Sequence, residues 1–257
     1  MTRVFAALAV VAGLGAATPS HAGCQADGLI VFPSPGAVVP TNVQFILEGV
    51  GAEQTRIADL AGTDAIALIA TGEEPVQVKA ERGWVSQEKR IAVRLKPKKA
   101  LKPNTEYTLA LGAGFANAIV INDALGDNSL KWTTGPGHDK TLPRFRTRPS
   151  VAEGFYVDDP KDGLTRQLKL RTTIEDVSPV YLLITMQRAR GSQVKQVYPV
   201  PVDGGELLVG HDGCSGSFGF DDGRAYRLSF ELWDAAGNRS AERVTLDLSA
   251  PRKTSGR

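Results

Sequence analysis

An all-β fold in two tandem sandwiches is what this sequence predicts, and three observations carry the prediction. Short apolar segments alternate with polar residues at period two and recur roughly every ten residues, the rhythm of sandwich strands. No convincing amphipathic helix interrupts them. Two tyrosines each open an alternating strand just after a turn, in Leu101-Lys-Pro-Asn-Thr-Glu-Tyr107 and Phe220-Asp-Asp-Gly-Arg-Ala-Tyr226. A tyrosine so placed closes a sandwich corner, because its hydroxyl can bond back to upstream backbone. Two corners predict two sandwiches.

The 257-residue chain is long enough for a core in each unit. Its N-terminus reads as an export signal over residues 1–22. Arg3 is a short basic start, Val4 to Leu14 is apolar, and Ser20-His21-Ala22 offers a small-residue cleavage site. That apolar run falls short of the ~20 residues that span a bilayer, and no other run is longer. A soluble exported protein, periplasmic or extracellular and without a transmembrane segment, is expected. Removing residues 1–22 takes away one Arg and no acid, leaving a net charge of +1. Near neutrality argues against a nucleic-acid binder, which carries a concentrated basic face.

Only two cysteines occur, Cys24 and Cys214. Cys24 follows the cleavage region, where lipidation has to be weighed. A lipidated Cys is usually preceded at three places by Leu, and here His21 stands there, so lipid anchoring is disfavoured. In an oxidising compartment the two cysteines are expected to pair. At 190 positions apart they cannot be the bridge across one sandwich, and they would join the two halves. Closing so long a loop is worth about 5 kcal/mol in the chain-entropy model. A bridge also requires the second unit to fold back beside the first.

In chain order, Leu29–Phe32 is an apolar strand ended by Pro33-Ser-Pro-Gly36. Val43, Phe45 and Leu47 then alternate with Gln44, Ile46 and Glu48, with only Ile46 out of pattern. Residues 56–70 read as two strands around Gly62-Thr-Asp64 or as an alanine-rich helix, and the surrounding rhythm favours strands. Val76 and Val78, then Ile91, Val93 and Leu95, then 107–111, then Leu130 and Trp132 complete a unit over residues 23–136. Residues 137–142 read as a linker. The second unit, 143–250, repeats the rhythm at Leu168–Ile174, Val180–Met186, Val194–Tyr198, Leu207–Val209, the Tyr226 strand and Val244–Leu248. Residues 251–257 are a basic, loose tail.

Four pieces of the first unit occur in a recognisable order: Ser34-Pro-Gly-Ala-Val-Val-Pro40, the Leu101–Tyr107 corner, Asn122-Asp-Ala-Leu-Gly-Asp-Asn128 and Trp132-Thr-Thr-Gly135. Together, over residues 28–136, they resemble the bacterial Ig-like domain of S-layer and other envelope proteins. The family usually ends in Phe-Thr-Thr-Gly, and here Trp132 takes the aromatic place. The second unit is more generally similar to Ig or fibronectin-like domains, through Tyr226 and Asp234-Ala-Ala-Gly-Asn238. The resemblance implies two immunoglobulin-like sandwiches in an envelope setting, acting as spacer, adhesion or accessory modules. It implies no catalytic residue.

Candidate chemistry is thin. After cleavage His138 and His211 remain, both in segments read as loop and solvated, with no partner at triad or zinc-ligand spacing. Gly213-Cys-Ser-Gly-Ser217 departs from a nucleophile elbow at its last position, and reads as a turn presenting Cys214. Three acidic turns could offer calcium some oxygens: Asp123, Asp127 and Asn128; Asp158, Asp159 and Asp162; Asp221 and Asp222. None has the spacing of a calcium loop, and Asp, Asn and Gly are what turns need for backbone reasons. Lys96, Lys98, Lys99 and Lys102, and separately Arg144, Arg146 and Arg148, form basic groups, read as solvated faces against an anionic envelope polymer. Trp233, outward beside Leu232, is an edge contact or a sugar-stacking platform. The expected function is a non-catalytic structural or interaction module of the cell envelope, partnered by an envelope protein or polysaccharide. The alternative is a ligand-binding accessory protein. No catalytic, cofactor or metal residue is assigned.

Overall fold

The computed structural model describes residues 27–63, 66–161, 163–190, 194–213 and 215–253, with only the backbone of Arg82. The expected signal peptide, both cysteines and Asp162 lie outside these residues. Among these residues the fold is all-β, with one short α-helix and a 3-10 turn at Ala113–Phe115.

The first eight strands are β1 (Gly28–Phe32), β2 (Val38–Val39), β3 (Phe45–Val50), β4 (Ile66–Ile69), β5 (Val76–Val85), β6 (Arg90–Pro97), β7 (Glu106–Ala110) and β8 (Lys131–Thr134). They pair in the order β1-β3-β6-β5-β4-β7-β8-β2. All pairings are antiparallel except β2 with β8. The alternation dictates the closure: β5 pairs with β4 over its first residues and with β6 over the rest, so one long strand serves both halves. The apolar faces then meet, and Phe45 packs on Trp132 with ring centroids 4.6 Å apart.

The expectation of strands throughout 56–70 is half wrong. Residues Glu53–Leu60 form a helix, α1, and only Ile66–Ile69 is a strand. Ile57 and Leu60, one helical turn apart, bury against the sheet, and Glu53 pairs with Arg56 at 3.0 Å. Gly49 makes the packing possible, since a Cβ there would lie 2.7 Å from the Glu53 carbonyl oxygen.

Seven further strands follow: β9 (Arg144–Asp159), β10 (Gly163–Glu175), β11 (Val180–Arg188), β12 (Lys195–Pro201), β13 (Glu206–His211), β14 (Ala225–Asp234) and β15 (Arg239–Ser249). They make a three-stranded sheet, β13-β10-β9, and a four-stranded sheet, β12-β11-β14-β15. Leu170, Leu182, Ile184, Met186, Phe230 and Leu232 fill the space between them with no exposed surface. Only the arginines at the start of β9 had marked it as a strand. Most of its residues are exposed, so it is held by its ladder with β10 and not by a legible apolar face.

Both tyrosine corners form. The Tyr107 hydroxyl accepts the backbone N–H of Lys102 at 3.1 Å. The Tyr226 hydroxyl accepts that of Asp221 at 2.9 Å and donates to the Asp221 carboxylate at 2.7 Å.

The second set of strands lies alongside the first. All six residues of β3 are buried, which explains Ile46. Alternation turns Ile46 and Glu48 away from their own core, and each is only 6% exposed because the neighbouring unit covers that face. Phe32 meets Tyr181 edge-on at 5.4 Å, and Pro199 and Pro201 close over Ile30, Ile46 and Glu48. Among the described residues no helix is long and apolar enough to cross a membrane.

Candidate functional site

The seam between the two units buries acidic groups at both of its ends. At one end Glu48 of β3 accepts from Arg90 of β6 at 3.0 Å. The same guanidinium donates twice to Ser215 Oγ, at 3.2 Å each. Ser86 Oγ donates to the Gly216 carbonyl at 2.6 Å, and Gly216 N–H donates to the Glu88 carbonyl at 3.0 Å. The buried Tyr198 hydroxyl stands beside Glu48 without a well-formed hydrogen bond. Burial raises the Glu48 carboxyl pKa, and Arg90 opposes the shift. This end is a charge matched by a charge.

The other end gathers three aspartates from three separate segments. Asp139 lies between β8 and β9, Asp176 in the turn from β10 to β11, and Asp234 at the end of β14. One carboxylate oxygen from each lies within 4.8 Å of the other two. Asp139 accepts from Thr141 N–H at 2.8 Å and from Ser178 Oγ at 2.5 Å. Ser178 N–H also holds Asp176 Oδ1 at 2.9 Å. Asn238 grips Asp234 with its backbone N–H and its side-chain amide, both at 2.7 Å. The first unit joins through Asn42, which exchanges two hydrogen bonds with the Asp139 backbone, and through Gln44 N–H, which donates to Ala235 O at 2.6 Å. Gly237, at φ +86°, turns the chain so closely against Gln44 that a Cβ would meet its amide at 2.2 Å.

Every group holding these carboxylates is neutral. Among the described residues none of the three makes an ion pair, and His138 and Lys140, which flank Asp139 in the chain, are exposed. Asp139 and Asp234 are 7% and 1% exposed. Asp176 is half-buried, but its Oδ2 atom is sealed from solvent and accepts no hydrogen bond. Burial first, then repulsion from Asp176 and Asp139, pushes the Asp234 pKa up to about 6 against the Asn238 hydrogen bonds. Asp176 is raised too, by burial and then by Asp139. A cleft of about 770 Å³, lined by Val38, His138, Asp139, Thr141, Val177 and Ser178, opens beside the cluster.

The residues singled out in the sequence fall elsewhere. Asp123 accepts from the N–H groups of Leu125, Gly126 and Asn128 in its own turn, and Asp127 from Ser129 N–H. Asp159 accepts from Lys161 N–H, while Asp221 takes Arg188 and Tyr226. Asp222 faces Arg166 at 3.5 Å. Lys102 pairs with Glu73, Arg146 with Glu175 and Arg148 with Glu242. Trp233 is no open platform: its ring stacks at 15° on Tyr181, and the Arg239 guanidinium lies 5.7 Å from its centroid. His138 is exposed as expected, but His211 ends β13 and is buried, with Nδ1 3.1 Å from the Asp212 carbonyl. Ser215 and Ser217 are likewise buried, in the seam and not in an exposed turn.

Sequence reading missed the aspartate cluster because no two of its members are near in the chain. The Asp234–Asn238 turn and the Gly-Pro-Gly linker before Asp139 were visible, but nothing local joins them to Asp176.

No family model and no curated protein matches the chain. Among solved structures, a type I pullulanase from Bacillus subtilis, complexed with maltose, aligns with 82% of the chain at 11% identity and a TM-score of 0.22. The chain spans 24% of that enzyme's length.

Proposed function

We propose that this protein is a non-catalytic, exported structural and interaction module of the bacterial cell envelope. The observation that carries the reading is the seam itself. Two sandwiches are joined by a short linker, by polar contacts of Ser86 and Arg90 with Gly216 and Ser215 at one end and of Asn42 with Asp139 at the other, and by aromatic packing between them, which makes a rigid body of two modules and not two beads on a string. The ordered motifs that resemble the bacterial Ig-like domain over residues 28–136, and the corner and turn of the second unit, support the same reading.

A disulfide between Cys24 and Cys214 belongs to this proposal. Gly28 is in register with Val50, and Val50 with Arg90, whose guanidinium bonds Ser215. Two strand spacings amount to about 10 Å. The four-residue step from Gly28 back to Cys24 can cover about 13 Å. Peptide mapping under non-reducing conditions should find the two cysteines linked; two free thiols would refute the bridge.

Fractionation of expressing cells, with glycan arrays on the purified protein, tests the functional reading. The chain is expected outside the cytoplasm without residues 1–22 and without saturable glycan binding. Retention in the cytoplasm would contradict export, and saturable binding to a polysaccharide would replace the structural role by the ligand-binding one.

A further inference from the structure

We propose that two copies of this chain associate edge to edge through β9, antiparallel about a two-fold axis at Val151–Ala152. The inference goes beyond the structural role proposed above and stands without it, since neither export nor an envelope partner enters the argument. Its first support is an open edge. β9 ends the sheet β13-β10-β9, and among the described residues it pairs with no strand but β10. Other edges are covered by the chain itself. Leu29 of β1 bonds to the backbone of Ile119 and Ile121, Asn122 takes both backbone groups of Val31, and Gly210 of β13 accepts from Phe218 N–H. Among the described residues no backbone group outside β10 bonds residues 144–158 of β9. The free groups follow from the ladder. Thr172 N–H of β10 donates to Gly205 O, on the side away from β9. Backbone groups alternate sides along a strand, so Lys169, Gln167 and Thr165 turn to Glu153, Phe155 and Val157. The N–H and C=O groups of Gly154, Tyr156 and Asp158 therefore point outward, a template for another strand.

The second support says which strand fits. Charge is segregated along β9, with Arg144, Arg146 and Arg148 at one end and Glu153, Asp158 and Asp159 toward the other. A parallel copy would set like charges side by side. An antiparallel copy sets each arginine end against the other's acidic end, twice over, around the uncharged centre Ser150-Val-Ala152. Arg146 and Arg148 already pair with Glu175 and Glu242, but those arginine side chains are 63% and 74% exposed. Exposed pairs are worth little, so both can turn to a new partner at small cost. Val151 and Val157, which stand exposed on this strand, gain cover. Pro149 and the register shifts near it interrupt the ladder in the arginine half, so hydrogen bonds form in short runs and the charges set the register. The contact is isologous, uses the same edge of both copies and closes at two.

Sedimentation velocity of the full chain in reducing buffer, which excludes intermolecular disulfides, should show a reversible monomer–dimer equilibrium. Salt at about 1 M, where the screening length is about 3 Å, should weaken the dimer. Arg144→Glu with Arg148→Glu should weaken it by about tenfold or more, and so should Glu153→Lys with Asp158→Lys, each with an unchanged β-sheet circular dichroism spectrum. Mixed together, the two double variants should form a heterodimer, because each then meets opposite charge along the whole strand. A parent chain that stays monomeric up to about 0.5 mM overturns the proposal. A dimer unmoved by salt or by either double variant overturns it too, as does a mixture that stays monomeric. Should a variant fail to fold, hydrogen exchange of the parent decides. The Gly154 and Tyr156 amides should exchange more slowly as concentration rises, and exchange independent of concentration overturns the proposal.

Discussion

The two ends of the interdomain seam bury acids under opposite electrostatic conditions. Glu48 is covered by the neighbouring unit but meets Arg90 and, through it, Ser215. Asp139, Asp176 and Asp234 meet one another and only neutral donors. A buried carboxylate next to a guanidinium has its charge offset, whereas three neighbouring carboxylates repel one another. The first end is therefore complete within the described chain. The second has no counter-charge among the described residues, and its stability depends on the pH around it.

The largest expected effect breaks the compensated end. Arg90→Ala leaves Glu48 buried beside Tyr198 with no counter-charge and should cost about 3–5 kcal/mol in urea unfolding. Replacing the pair together, by Arg90→Met with Glu48→Leu, should restore most of that loss, because removing both charges removes the penalty. If Arg90→Ala alone were neutral, Glu48 would not depend on its partner.

A smaller effect is expected at the two corners. Tyr226→Phe deletes one bond from the Asp221 N–H and one to its carboxylate, and should cost about 1–2 kcal/mol. Tyr107→Phe deletes a single bond to Lys102 N–H and should cost about 1 kcal/mol. Thermal unfolding of the two variants side by side checks the order, and equal losses would show that the Asp221 carboxylate contributes nothing.

The smallest change sharpens the uncompensated end. Asp176→Asn removes one of three like charges from a half-buried position and should stabilise by less than about 1 kcal/mol in thermal unfolding. A loss would mean that Asp176 serves its own turn more than it repels its neighbours.

What the sequence made legible was the fold's local grammar. Tyr107 and Tyr226 announced both corners because the turn, the tyrosine and the alternating strand are contiguous. Where one neighbouring segment decides the outcome, reading failed. Residues 56–60 carry no decisive periodicity, and α1 forms because Gly49 on β3 leaves space for Ile57. Ile46 broke the alternation of β3 for a reason that lies in the other unit, since both faces of that strand are covered. The aspartate cluster was invisible for the same reason in stronger form, because its members are joined only when β10, β14 and the linker meet. The acidic turns that drew attention instead, such as Asp123, spend their oxygens on their own backbone.

The claim that the seam aspartates lack a built-in counter-charge is tested most directly by thermal unfolding as a function of pH. A carboxyl whose pKa rises from 3.8 to about 6 on folding binds more protons in the folded state between those values. Its contribution to stability is therefore present below about pH 4 and is lost as pH rises through 6. Asp176, also raised, adds to the loss, with Asp139 as the other carboxyl facing them. Asp234→Asn should remove most of this fall, which separates it from the titration of other groups. The parent should lose stability relative to Asp234→Asn between pH 4 and pH 6.5. Parallel pH profiles for parent and variant would contradict the account.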